Sequence, residues 1–145
     1  MASFKLTIND PKTGKSHKRD VAGKEAEALL GKDVGETITG DLWGFTGYEF
    51  VITGASDNAG FPLRHGLKGF GRKRILVYRG VGFPGRDRHG QRQHGLRMKK
   101  TVCAQKIYPK VAQINMKIAK VGPQDLFVVQ EPPTPKETKE QAVSA

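Results

Sequence analysis

Cysteine is almost absent. Cys103 stands alone in 145 residues, so no internal disulfide can close and no thiolate pair can hold a metal. Long apolar runs are missing too: no stretch approaches the ~18 consecutive apolar residues of a membrane-spanning helix, and none is expected. The first residues, MASFKLTIND, lack a basic segment followed by an apolar core, so no signal peptide is expected. Together these absences point to a cytoplasmic chain without a membrane partner. The 145 residues are enough for one ordinary domain with a core but not for two, and 37% apolar with 27% charged is low for a globular domain without reaching the disordered range. Acid is missing from one place in particular. From Arg64 to Lys100 there are twelve Lys or Arg and one acid, Asp87, while the remainder holds thirteen of each sign. One block therefore carries the whole formal charge of +11. Charge that served solubility alone would be spread evenly; a focused block calls for a polyanionic partner.

The pattern along the chain is mostly that of short strands. Residues 3–8, SFKLTI, alternate polar and apolar; DPKTG supplies a turn; KSHKRDV reads as the return strand of a hairpin. KEAEALL, Lys24 to Leu30, is the single helical patch, with Gly31 as its stop. Thr37 to Thr39, Tyr48 to Thr53, residues 72–79 and residues 100–107 read as strands. Val111 to Val121 gives the clearest period of two, with Ile114, Met116 and Ile118 alternating with Asn115, Lys117 and Ala119. Leu126 to Val129 is expected as a last short strand, and residues 131–145, EPPTPKETKEQAVSA, as a disordered tail. The expected architecture is mainly β: one domain over residues 1–130, a small barrel or sandwich with one short helix and long Gly/Arg-rich loops at 54–71 and 80–98. Long irregular loops in a small domain are usually functional or disordered.

Three stretches carry the residue types of known chemical motifs. GVGFPG, residues 80–85, fits G-x-G-x-x-G after a strand. A dinucleotide loop must open a helix whose N-terminus holds the pyrophosphate, with an acid about twenty residues on for the ribose. Here RDRHGQRQHG follows, with no helical periodicity, and the later region reads MKKTVC. His89 and His94 have only Asp87 near them as a third metal ligand, whereas structural zinc takes four. Cys103 has Lys99, Lys100 and Lys106 close in sequence but lies in a predicted strand, where a small buried hydrophobe is the ordinary role. No catalytic residue, metal, cofactor or small-molecule substrate is expected.

The basic block reads better as a nucleic-acid surface. Lys and Arg neutralise phosphates and release counterions, and Arg also forks onto phosphate oxygens and stacks on bases. Glycines let the backbone lie close to a folded surface, and they forbid the basic amphipathic helix that a membrane surface would need. Among polyanions, structured RNA suits irregular basic segments, and neither a helix-turn-helix nor a zinc finger is present for DNA. The arm at 80–98 is expected to be loose when free and ordered when bound. A competing possibility is a free-standing single-strand binder of the barrel type, with Trp43, Phe45, Tyr48 and Phe50 stacking bases.

Residues 54–67, GASDNAGFPLRHGL, are more specific. They closely resemble the G-x-x-D-x-x-G-F-P-M-x-x-G-V signature of the small-subunit ribosomal protein family S-six-e, shared by archaea and eukaryotes. Gly54, Asp57, Gly60, Phe61, Pro62 and Gly66 match, with Leu63 and Leu67 in place of Met and Val. The strand from Arg72 to Tyr78 and the Arg/Gly arm ending in Lys99, Lys100, Val102 and Cys103 are similar to the family's. The likeness extends over residues 3–129. It implies a non-catalytic constituent of the small ribosomal subunit that binds small-subunit ribosomal RNA beside neighbouring ribosomal proteins. The residues expected to face RNA are Arg64, Lys68, Arg72, Lys73, Arg74, Arg79, Arg86, Arg88, His89, Arg92, His94, Arg97, Lys99 and Lys100. Phe61 and Leu63 are expected to plug the core beneath the signature loop. Eukaryotic members carry a long basic C-terminal helix with a phosphorylated serine cluster; this chain has Ser144 alone after residue 130, so phosphorylation control is not implied, and the length is that of archaeal members.

Overall fold

Strand β1 (Ser3–Asn9) buries Phe4, Leu6 and Ile8 and turns Lys5 and Thr7 outward, the period of two that a half-buried strand requires. The structure, a computed structural model, describes residues 2–122; the expected strand at Leu126 to Val129 and the tail at 131–145 lie outside the described residues. Asp10 opens the first turn. Its carboxylate accepts the Lys12 N–H at 2.9 Å and the Thr13 hydroxyl at 2.8 Å, and Gly14 supplies the positive φ that closes it. β2 (Ser16–Ala22) then pairs antiparallel with β1 and buries Val21 alone; its charged residues suit an edge position.

The helical patch is shorter than its sequence predicts. α1 spans Lys24–Glu27, and the chain then tightens: the N–H groups of Leu29, Leu30 and Lys32 donate to carbonyls three residues back rather than four. Ala26 and Leu29 still reach the core, so the apolar spacing serves burial although the helix is not sustained. Gly31 ends the segment by donating to the carbonyl of Ile107 at 2.9 Å.

β3 (Thr37–Thr39), a one-turn 3-10 helix (Asp41–Trp43), β4 (Glu49–Asp57) and β7 (Val111–Lys120) complete a five-stranded sheet of order β2-β1-β7-β4-β3. β7 pairs in parallel with β1 and antiparallel with β4. Its Ile114, Met116 and Ile118 are buried, as the alternation predicts, and Val111 is buried as well, beyond a register shift against β4. Fully burying each such side chain contributes about 1.5–3 kcal/mol relative to exposure. β5 (Arg72–Val77) and β6 (Met98–Cys103) form a separate two-stranded ribbon. The mainly β class expected from sequence is present. Its closed-barrel form is not, because β2 and β3 are the outer strands of an open sheet.

One irregularity in β4 positions everything that follows. Ile52 pairs with Met116 and Gly54 with Asn115, leaving Thr53 as an extra residue whose hydroxyl donates to the Asn115 carbonyl at 3.0 Å. Phe50 and Ile52 are buried before the bulge; Ala55 and Asp57 are buried after it. A single inserted residue shifts which alternate positions face inward. The shift turns the Asp57 carboxylate into the protein.

Candidate nucleic-acid interface

The signature loop is the joint between sheet and ribbon. Ser56 bridges Pro62, and Leu63 bridges Cys103, so residues 62–63 lie between β4 and β6 like a short extra strand. The Leu63 N–H donates to the Ala55 carbonyl at 2.8 Å, the Cys103 N–H to Pro62 at 2.9 Å and the Arg64 N–H to Cys103 at 3.0 Å. Leu63 is buried and Phe61 packs against the core, the plugging roles expected of them.

Asp57 holds this joint and is 2% exposed. Its carboxylate accepts from Arg72 Nε, from the Tyr108 hydroxyl at 2.8 Å and from the Asn58 N–H at 2.6 Å. Burial pushes the Asp57 carboxyl up, but the bonds from Arg72, Tyr108 and Asn58 outweigh it and leave it below its ordinary range. Its hydrogen bond to Asp57 raises the Arg72 guanidinium in turn. Arg72 Nη2 also donates to Asn58 Oδ1 at 3.0 Å, and its guanidinium sits 5.1 Å from the Phe61 ring centroid. Arg72, expected to face RNA, is thus committed to the protein's own joint. Cys103 is buried in the same cluster, its thiol 3.4 Å from the Tyr108 hydroxyl and 3.8 Å from Asp57 Oδ2. Burial pushes both the Cys103 thiol and the Tyr108 hydroxyl up.

The ribbon has two unlike faces. Paired residues share a face, so Arg72, Arg74 and Leu76 lie with Thr101 and Lys99 on one side. Arg74, Leu76 and Lys99 are exposed there. The other side carries Ile75, Val77, Met98 and Val102 together with Lys73 and Lys100, and Val77 and Val102 are fully buried. Residues 80–85 fold back onto that apolar side. Gly80 and Phe83 exchange backbone hydrogen bonds of 2.8 and 3.0 Å, which drives Phe83 into the interior. Gly82 has φ +84° and no room for a methyl, since an added Cβ would lie 2.6 Å from Val102 Cγ1. GVGFPG is therefore a tight turn at the root of the arm, and the next element along the chain is strand β6.

Beyond Gly85 the arm is organised by its single acid. Asp87 accepts the His89 N–H at 2.6 Å and the Gln93 side-chain amide at 2.9 Å, and its own N–H donates to Gln91. Arg86 and Arg92 face each other across a β-bridge. Asp87 is spent on the tip: among the described residues, no ion pair joins an acid to any cation between Arg74 and Lys100. Arg79, Arg86, Arg88, His89, Arg92 and His94 are exposed. Arg97 lies over the Tyr78 ring at 5.1 Å and Lys100 over Phe83 at 5.7 Å. Lys73 Nζ donates to the Lys68 carbonyl at 2.7 Å, and Arg64 Nη1 to the Val81 carbonyl at 3.4 Å, so these two are partly tied down while Lys68 itself is exposed. The described residues contain no His, Cys, Asp and Glu grouping able to hold a metal ion and no helix long and apolar enough to cross a membrane.

The aromatic residues that a single-strand binder would need are elsewhere. Trp43, Tyr48 and Phe50 are buried, Tyr48 and Phe50 stacked at 5.9 Å in the sheet's core, and Phe45 packs against them. Sequence reading missed the cluster of Asp57 with Tyr108 and Cys103. Gly54 inside a strand pattern was the available signal, since an interior glycine often marks a bulge.

A family model described as Ribosomal protein S6e matches residues 4–130. A protein named small ribosomal subunit protein eS6 from Methanoculleus marisnigri is 41% identical over 127 residues, 87% of this chain and 91% of its own length. Proteins of the same name from Methanospirillum hungatei and Halorubrum lacusprofundi are 39% and 40% identical, covering 93% and 81% of this chain and 98% and 83% of their own.

Proposed function

The chain belongs to the ribosomal protein S6e family, and on that premise we propose that it is a structural constituent of the small ribosomal subunit in the cytoplasm, holding small-subunit ribosomal RNA with its basic ribbon and arm. It performs no catalysis; the relatives bear the names of ribosomal proteins. The observation that carries the RNA reading is the unneutralised charge of the arm. Arg86, Arg88 and Arg92 are exposed and have no acidic partner among the described residues. Guanidinium groups so arranged neutralise phosphates and release counterions. Arg74 and Lys99 extend the same surface along the outward ribbon face, with Lys68, Arg79, His89, His94, Arg97 and Lys100 around it. Arg64 and Lys73, bonded to backbone carbonyls, shape the surface more than they reach from it. The pair of buried Asp57 and half-exposed Arg72 ties the ribbon to the sheet.

The test is a quadruple substitution, Arg86, Arg88, Arg92 and Arg97 to Ala, with affinity for small-subunit ribosomal RNA measured against salt. Each lost phosphate contact is expected to lower the slope of log affinity against log salt by roughly 0.7–0.9. An unchanged slope removes the arm from the interface. Sedimentation of a native extract adds the assembly readout: the chain is expected to travel with the small subunit after a high-salt wash, and its remaining at the top of the gradient overturns the ribosomal assignment.

A further inference from the structure

Where β5 runs out into the arm, Tyr78, Arg79, Arg92, Gln93, His94 and Leu96 surround a cavity of about 410 Å³. Sites of roughly 300–1,000 Å³ take small organic groups. Tyr78 is 54% exposed, yet its ring is braced, with the Arg97 guanidinium 5.1 Å from its centroid. Gly85 forms part of the wall, and an added Cβ there would meet the Arg79 side chain at 3.0–3.3 Å. The Gln93 amide nitrogen donates to Asp87 at 2.9 Å, and an amide side chain also carries an acceptor oxygen. No acid lines the cavity.

This mixture of an aromatic wall, two guanidinium groups and a hydrogen-bonding edge is more than a phosphate needs. A phosphate uses the cations and leaves the ring idle. A planar heterocycle with a charged backbone on either side uses all of it. We infer that the cavity receives one unpaired RNA base, stacked against Tyr78, with flanking phosphates on Arg79 and Arg92. The inference rests on the RNA-binding reading above and sharpens it. A base inside a duplex is paired and covered on both faces, so the occupant is a bulged or loop nucleotide. The arm thus selects an irregular place in the RNA, in addition to neutralising its backbone.

The experiment uses the full chain and two RNA hairpins of equal length, one fully paired and one carrying a single bulged 2-aminopurine. The bulged hairpin is expected to bind about tenfold tighter, in line with the usual contribution of one base stacked on an aromatic side chain, with the 2-aminopurine fluorescence quenched on binding. Tyr78→Ala is expected to abolish the preference and the quenching while leaving the salt slope and the melting temperature unchanged; Tyr78→Phe is expected to keep both effects. Equal affinities and an unquenched probe, with a steep salt slope, overturn the pocket and leave the RNA reading standing. A preference that survives Tyr78→Ala overturns the pocket as well. No salt-dependent binding to either hairpin overturns both.

Discussion

Replacing Asp57 by Asn removes the charge at the joint while conserving its shape. The native carboxylate accepts from Arg72, Tyr108 and Asn58. An asparagine keeps one acceptor oxygen and turns an NH2 group toward at least one of these donors. Leaving a buried donor such as the Tyr108 hydroxyl unsatisfied costs about 1–3 kcal/mol. The lost ion pair adds less, because the Arg72 side chain is 42% exposed and water can take over its charge. At roughly 3–6 °C per kcal/mol for a domain of this size, the melting temperature is expected to fall by about 3–18 °C. Urea and thermal unfolding can be followed through Trp43, the single tryptophan and a fully enclosed one. The pH dependence gives a second, independent reading. Asp57 is held below its unfolded pKa, so its stabilising contribution is complete above that unfolded value, about 3.9, and is lost as pH falls through the depressed folded value. The gap between the native chain and Asp57→Asn is therefore full at pH 7 and narrows below about pH 4. A gap under about 0.5 kcal/mol at pH 7, within the range of ordinary surface changes, or one that stays constant into acid, refutes the claim that this charge fastens ribbon to sheet.

Other perturbations separate packing from charge. Gly82→Ala is expected to cost about 1–3 kcal/mol, combining a positive φ with the 2.6 Å approach to Val102, whereas Gly90→Ala has only its φ to strain and costs less; equal losses in urea unfolding would show that the turn is not packed against the ribbon. Deleting Thr53 removes the bulge and turns Ala55 and Asp57 outward; the variant is expected to lack the native Trp43 emission, and a native spectrum would count against the bulge's role. The Cys103 thiol, buried and pushed up by that burial, is expected to resist Ellman's reagent at pH 8 until urea unfolds the chain; fast labelling of the folded protein would mean that the joint opens.

Periodicity made β1 and the middle of β7 legible, because each has one buried face and alternates without interruption over residues 4–8 and 114–118. It failed where tertiary pairing redirects the chain. β6 was expected to run over 100–107 but covers Met98–Cys103, because residues 105–107 leave the ribbon to bond with Lys32 and Val34. β4 was expected to end at Thr53 and continues to Asp57, since the bulge interrupts the period without ending the strand. The basic block was plain from composition, but composition cannot tell a cation that reaches outward from one that is tied down. Arg72 and Arg74 stand two apart on the same ribbon face, and only Arg72 has a buried carboxylate beneath it. That carboxylate comes from fifteen residues away, across a loop whose path no local pattern reveals.

The central place of β7 also sets a timetable. The β1–β2 and β3–β4 pairs each form between neighbouring strands in the chain, but nothing in the sheet joins one pair to the other until residues 111–120 arrive between them. The parallel register of β1 with β7 closes a loop of more than one hundred residues, and such long-range closure is the slow part of folding. During synthesis the two pairs and the charged arm are exposed to the surroundings before the platform that unites them exists. A chain built in this order has its cation-rich arm complete before the strand that finishes its sheet.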